Sequence, residues 1–485
     1  MKKILFIASE CKPFVKTGGL ADVVGSLPQA FDKNEYDIRV MIPNYEKIDW
    51  SFREKMETIY YFQLDNRIYV GVKRLVYDGI TYYFIDNNQY FSGNQIYFDM
   101  FQDLERFAYF SKACLSSLPL IDFRPDIIHV HDWQASLVPV YLNTVFQGDS
   151  FFQGIRTVIT LHNLRFQGTW DAAHIKWVSS LPNECFEKAR LISPFEPDWK
   201  DKDEMTASML RGGIVYSDYI TTVSNSYARE IQTPQFAEGL EDILVCRNQR
   251  LWGIVNGLDY REWNPDLDNI IYKKYNTKTL KKGKIENKLA LQRRLGLKED
   301  ENVFTLALVS RLTDQKGLDL IDRIMERLCD MEVNIIVLGT GDSHYENMFR
   351  YYKDRYPNKV RAEIYYSEEL AHQIYAAASA LLVPSAFEPC GLTQLIALKY
   401  GTVPIVHEIG GLKDTVKPYN WQDQSGTGFT FSTYNANDLL DRIYHAAHVY
   451  YNEKDNWNNM IRRGMKEDWS WANSCNIYKD LYSRM

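Results

Sequence analysis

The sequence predicts an α/β protein made of two doubly wound domains, and three observations carry that expectation. Short β-branched runs alternate with segments of helical period, as a mostly parallel sheet covered on both faces requires. The alternation begins a second time after residue 300. The length, 485 residues, suits two large α/β domains or three of about 150 residues each.

In chain order, the first series of strand-like runs falls at 3–9, 37–42, 126–130, 157–161, 219–223 and 251–255. Amphipathic helices are expected between several of them, as at 103–118 and 205–216. Residues 58–86 break the pattern with three alternating, aromatic-rich runs and a turn at Asp78-Gly79, which reads as an antiparallel insertion. The second series starts with VFTLALVS at 303–310, continues through a helix at 317–329 and returns to strand at 333–338. Further on, the apolar run ALLVPS at 380–385 leads into a helix that reaches Tyr400. Between the two series lie Val255-Asn256-Gly257 and a polar stretch, so the boundary is expected near 255. The basic segment 273–298 is expected to be a solvated helix face, because Leu289, Leu291, Leu295 and Leu297 give it a buried side.

Composition narrows the function classes. With 63 acidic residues against 56 lysines and arginines the formal charge is −7, which argues against a nucleic-acid partner. A hydrophobic share of 45% is that of a chain with a sizeable core, so wholesale disorder is excluded. The seven cysteines are odd in number and never form a CxxC pair, which predicts a reducing, cytoplasmic setting with neither a disulfide framework nor a cysteine-zinc site. The apolar run at 4–8 is too short for a signal peptide, and no run of about 18 apolar residues exists, so no membrane partner is expected.

Two doubly wound domains on a short linker create a cleft, with ligands held beyond the carboxyl ends of the strands. After the first strand comes Lys16-Thr17-Gly18-Gly19-Leu20-Ala21-Asp22. Paired glycines at a helix start admit an anion to bare amides, with Lys16 adding charge; a Gly-rich turn with a surface lysine is the plain alternative. It is neither a dinucleotide fingerprint nor a P-loop. DIIHVHDW ends the next informative strand with His129, His131 and Asp132. Two histidines at i, i+2 are a weak metal signal, and one is expected to be a hydrogen-bonded core residue while Asp132 faces the cleft. His162-Asn163 end the following strand in the same way, to bond sugar hydroxyls or merely to cap a loop.

The second domain is more pointed. Arg311 follows its first strand, and Lys316-Gly317 open a helix five residues later. Two cations beside a helix start are what a diphosphate requires. Glu388-Pro389-Cys390-Gly391-Leu392-Thr393 then enter another helix, with a carboxylate beside the free amides of 390–393. Cys390 reads as a small turn residue, not a nucleophile. Gly410-Gly411-Leu412-Lys413-Asp414 repeats the Gly-Gly-Leu-x-Asp arrangement of residues 18–22, so each domain is expected to offer a glycine-lined helix start to one ligand. The Asp-x-Asp pairs at 201–203 and 266–268 lie in polar stretches, not after a buried strand, and read as incidental.

Nine motifs in order and spacing, KTGGLADVVGSLP, HVHDW, LHNLRFQG, YAREIQTPQF, VNGLD, SRLTDQKG, YYSEELAHQIYAAA, PSAFEPCGLTQLIALKYGTVPIV and GGLKDTV, resemble the bacterial glycogen synthases and plant starch synthases over nearly the whole chain. The resemblance implies the GT-B fold: Rossmann-like domains at 1–255 and 256–464, with a last helix within 465–485 crossing back to the first. It implies transfer of glucose from ADP-glucose to the 4-hydroxyl of an α-1,4-glucan (glycogen) with retention, without metal or other cofactor. On matching positions, it implies that Arg311 and Lys316 neutralise the leaving diphosphate, with Lys16, Gly18 and Gly19 near the same phosphates. Glu388 would orient the donor glucose, with Cys390, Gly391 and Leu392 amides on its hydroxyls and Thr393 on phosphate. His162 and Asn163 would line the reacting centre, Asp132 would sit by a glucose, Asn256 near the hinge, and Tyr366 would stack on the nucleobase.

Three positions depart from the pattern. Ile396 stands where the wider GT-B signature has a second glutamate. FIDNNQYFSGNQIY replaces the usual segment around Tyr90 and Tyr97, and Ile409 stands where threonine commonly precedes Gly-Gly-Leu. The rival readings are a glucan phosphorylase-like enzyme, which needs pyridoxal phosphate on a lysine, and an inactive glucan-binding regulatory protein.

Overall fold

Strands with both faces covered are apolar along their length, and that property sorts this chain into two large sheets, beside a small β-ribbon. The computed structural model describes residues 1–65 and 67–485. They form two units, 1–257 with 471–485 and 258–470.

In the first unit the strands are β1 (Lys2–Ile7), β2 (Tyr36–Pro43), β3 (Glu57–Leu64), β4 (Ile68–Tyr77), β5 (Ile80–Asp86), β6 (Ile127–His131), β7 (Arg156–Leu161), β8 (Thr169–Asp171), β9 (Thr206–Ser208), β10 (Tyr219–Thr222) and β11 (Leu251–Gly253). Nine of them make one sheet in the order β11-β10-β7-β6-β1-β2-β5-β4-β3. Its centre is β1, β6 and β7, where Phe6, Ile7, Ile128 and Ile159 have no exposed surface. Residues 58–86 are not an insertion apart: β5 pairs parallel with β2, Arg39 opposite Thr81, so the antiparallel β3-β4-β5 meander extends the main sheet. The helix expected from 205 starts at Met209, because Thr206–Ser208 instead pair with Thr169–Asp171 and Ser208 Oγ caps the helix at the Arg211 amide, 3.1 Å away.

The last helix, Trp471–Ser483, belongs to this unit. Tyr482 and Leu481 are fully buried in it, and the Tyr482 hydroxyl lies 2.6 Å from His129 Nδ1 in β6. Gly257 admits it closely: a Cβ there would lie 2.5 Å from the Trp471 backbone.

The second unit holds β12 (Phe304–Val309), β13 (Val333–Leu338), β14 (Val360–Glu363), β15 (Ala380–Val383), β16 (Val403–His407) and β17 (Phe429–Phe431), all parallel, in the order β14-β13-β12-β15-β16-β17. Numbered within the unit this is 3-2-1-4-5-6, the doubly wound order whose ligand crevice opens between its first and fourth strands, here β12 and β15. The basic segment forms the helix Leu280–Arg294, with Leu291 and Leu297 buried and Leu289 and Leu295 half-buried. Two of its lysines turn inward: Lys284 Nζ donates to the carbonyl of Ala378 (2.8 Å) and Lys288 Nζ to that of Val303 (2.9 Å). Burial lowers both ammonium pKa values, that of Lys288 to about 7. Among the described residues no helix is long and apolar enough to cross a membrane, and all seven cysteines are free.

Candidate active site

In the first unit the informative residues follow β1, β6 and β7, which lie side by side. Glu10, just past β1 and buried, organises the turn beyond it: it accepts hydrogen bonds from the Thr17 amide, the Thr17 hydroxyl (2.6 Å) and the Tyr97 hydroxyl. Tyr97 is also 2.9 Å from Ser9 Oγ. The turn so held presents Gly18 and Gly19 at the start of the helix Gly19–Ser26, and the space a Cβ would take at either glycine is open. Lys16 is exposed and pairs with Asp22 at 2.7 Å.

After β6 the chain turns sharply, with Asp132 at φ +54. Its Oδ1 accepts from the His162 amide at 2.7 Å, linking the ends of β6 and β7. Burial pushes the Asp132 carboxyl up to about 7 against the amides of His162 and Asn163, which favour the anion. His131 Nδ1 and His162 Nε2 are 3.0 Å apart, and His129 uses both ring nitrogens, on Tyr482 and on Thr160 Oγ1 at 2.6 Å. His129 is thus the core histidine and has no nitrogen left for a metal. Burial lowers the pKa of all three rings, those of His129 and His162 to about 3, so they stand neutral at pH 7. Asn163 Oδ1 caps its own loop at the Arg165 amide, 3.0 Å away. Asn256 is buried, and its Oδ1 has no donor among the described residues.

In the second unit the crevice strands β12 and β15 bring Lys316 and Glu388 together: Nζ and Oε2 are 2.6 Å apart, and Ser385 Oγ donates to the same oxygen at 2.9 Å. Lys316 ends a short 3-10 turn, Asp314–Lys316, and the helix starts at Leu318 with Gly317 as its N-cap, one residue later than the expected 317. Gly317 is the reason. It sits at φ +72, and a Cβ there would lie 2.0 Å from the Pro384 carbonyl, so the two loops touch backbone to backbone only through a glycine. Arg311 projects from the end of β12 as an exposed side chain with no hydrogen-bond partner among the described residues.

Gly391, at φ +72, turns the chain into the helix Thr393–Lys399. The amides of Gly391, Leu392 and Thr393 have no partner among the described residues, and Cys390 is buried in the turn. Gln394 Nε2 fixes that turn through the carbonyls of Cys390 (2.9 Å) and Gly391 (2.8 Å). Ile396 is buried in the same helix. Tyr366 lies beyond β14 and is 80% exposed.

The Gly-Gly-Leu at 410–412 does not serve as the one at 18–20 does. A Cβ on Gly410 would lie 2.0 Å from the Glu388 carbonyl, and one on Gly411 2.0 Å from that of Cys390. The Gly411 amide donates to Glu388 O at 3.0 Å. These glycines seat the Glu388 turn, and their surface is filled by protein. Sequence reasoning passed over Glu10, Ser385 and Gln394, and it named Tyr97 only within the segment that departs from the family pattern. Glu10 and Ser385 carried a positional signal, since each closely follows a buried strand.

Two Rossmann-like units, one ending its crevice strands in a lysine-carboxylate pair beside bare amides, define a glycosyltransferase of the GT-B fold. Residues 3–245 match the family model for the starch synthase catalytic domain, and residues 288–463 the model for glycosyl transferases group 1. The chain is 53% identical to a glycogen synthase of Lachnospira eligens and 52% identical to one of Lachnoclostridium phytofermentans, each over the whole of both chains. It superposes with a TM-score of 0.88, at 30% identity and covering 100% of this chain and 99% of the other, on the catalytic domain of starch synthase IV from Arabidopsis thaliana, a structure bound to ADP and acarbose. The chain belongs to the glycogen synthase and starch synthase family.

Proposed function

We propose that this glycosyltransferase moves glucose from ADP-glucose to the non-reducing 4-hydroxyl of an α-1,4-glucan such as glycogen, with retention, in the cytoplasm. The observation that carries the reading is the 2.6 Å Lys316–Glu388 pair at the crevice between β12 and β15. Breaking the anomeric bond leaves positive charge on the sugar and negative charge on the diphosphate, so donors arranged in advance on the phosphate side lower the barrier most. Lys316 and Arg311 take that side, with the Thr393 amide. Glu388 and the 390–392 backbone hold the glucose hydroxyls. Tyr366 stacks on the base.

In the first unit, Lys16 with the open amides of Gly18 and Gly19 serves the same phosphates. His162, Asn163 and Asp132 line the glucose, and Asn256 braces the chain before the boundary. Neutral His162 contributes a hydrogen bond, not a charge. The departing phosphate oxygen takes the acceptor proton while the acceptor oxygen attacks the same face, so no separate base and no metal enters the step. Labelled-glucose incorporation into glycogen tests the reading: ADP-glucose is expected to outpace UDP-glucose by at least tenfold, undiminished by chelator. No incorporation from either donor would overturn it.

A further inference from the structure

Remote from the roles above, the second unit buries a histidine that lacks a partner for half its ring. His372 is 1% exposed, stacked on Trp263 with centroids 4.0 Å apart and rings 13° from parallel. Its Nδ1 lies 2.8 Å from Asp268 Oδ2, which also accepts from the Tyr400 hydroxyl at 2.6 Å. A carboxylate at Nδ1 selects the tautomer that carries its proton there and leaves a lone pair on Nε2. That Nε2 is buried and has no hydrogen-bond partner among the described residues. An unmatched buried acceptor costs about 1–3 kcal/mol unless something occupies it.

Glu262 and Glu368 close on the same ring, with one ligand atom from each of the three residues within 4.8 Å of the others. Glu368 and His372 are i and i+4 on the helix Glu368–Ala377, hence on one face. Glu262 comes from the segment that carries Trp263. Nδ1 being committed to Asp268, Nε2 is the nitrogen with a lone pair to give to a metal. A triangle of that size has its centre about 2.8 Å from each corner, and two flexible glutamates close the remaining fraction of an ångström to the roughly 2.0–2.2 Å of zinc–nitrogen and zinc–oxygen bonds.

We propose that Glu262, Glu368 and His372 form a site for a divalent transition ion of the zinc class, with Asp268 as the outer carboxylate that orients the imidazole. One nitrogen and two carboxylate oxygens suit zinc or cobalt(II), and a carboxylate-histidine-metal relay both fixes the ring and raises its basicity. The Asp-x-Asp at 266–268 enters only through this outer role: Asp268 is buried against His372, while Asp266 accepts from Asn276 Nδ2 at 3.1 Å. The site takes no part in glucosyl transfer. It ties the segment entering the second unit to the helix that follows Tyr366.

The test is titration of the full chain with zinc against a chromophoric chelator, and with cobalt(II) read by its visible d–d bands. One ion per chain is expected at micromolar affinity or tighter, with a rise in melting temperature on zinc addition. Glu262→Gln and Glu368→Gln, both at positions with solvent access, each should weaken the ion at least tenfold and abolish the cobalt spectrum while the metal-free melting temperature holds. Equal affinity in the wild type and the double variant would overturn the proposal. So would a melting temperature that zinc does not raise.

Discussion

The motif Gly-Gly-Leu-x-Asp occurs at 18–22 and at 410–414, and the two copies have opposite surroundings. Gly18 and Gly19 face open space, and the turn that carries them is held from behind by Glu10. Gly410 and Gly411 are pressed against the backbone of Glu388 and Cys390, Gly410 in the left-handed region at φ +47. One pair of glycines makes room for something outside the protein, and the other makes room for the protein itself. The same letters therefore leave open space in one unit and pack the backbone in the other.

The sharpest way to break that contrast is a matched pair of alanines read in two assays. Gly19→Ala adds a methyl to empty space, so melting should be unchanged, while a phosphate held off by about 1 Å should lower glucose transfer about 100-fold. Gly411→Ala must displace the Cys390 carbonyl, which should lower stability by about 2–4 kcal/mol and the melting temperature by several degrees. A stable Gly411→Ala protein or a melting-impaired Gly19→Ala protein would erase the distinction.

The unit that carries the first turn also holds a cluster of buried histidines. Near the first, His129, His131 and His162 have pKa values lowered by burial, those of His129 and His162 to about 3. A base whose folded pKa is depressed confers stability above its unfolded pKa of about 6.5, lost as pH falls toward the folded one. Each histidine should thus take about 1.4 kcal/mol of stability per pH unit as pH drops from about 6.5 to 4. Urea midpoints across that window should fall steeply for the first unit; a flat profile would contradict the buried neutral cluster.

A smaller effect is expected at Asp132, whose carboxyl is raised to about 7. A raised acid is stabilising below its unfolded pKa of about 4 and loses that contribution as pH rises through 7. Asp132→Asn should therefore gain melting temperature relative to wild type at pH 8 compared with pH 5. An equal difference at both pH values would place the carboxyl in ordinary solvent.

How much of this was legible in the sequence differs between the copies as well. The strands were readable because apolar β-branched runs leave no other economical structure, and β13 spans 333–338 as expected. Strand partners were not: the parallel pairing of β5 with β2 is a long-range choice, and local alternation at 58–86 says only that strands exist. Candidate residues at strand ends follow from the doubly wound topology, which is why Asp132, Arg311, Lys316 and Glu388 stood out. Their partners did not, because Lys316 and Glu388 are 72 positions apart. The second glycine pair was read as ligand-facing because a sequence does not show which backbone lies above a glycine. The inward turn of Lys284 and Lys288 was hidden for a related reason, since the carbonyls that receive them come mainly from other elements.

The proposed transfer depends on Lys316 acting on the leaving diphosphate, and Lys316→Ala tests that role. Transfer of labelled glucose to glycogen at saturating ADP-glucose should fall by at least about three powers of ten, the scale of a lost transition-state charge contact, in a protein that still folds although buried Glu388 has lost its ion-pair partner and the melting temperature drops. Transfer within a few-fold of wild type in a normally folded Lys316→Ala protein would contradict it.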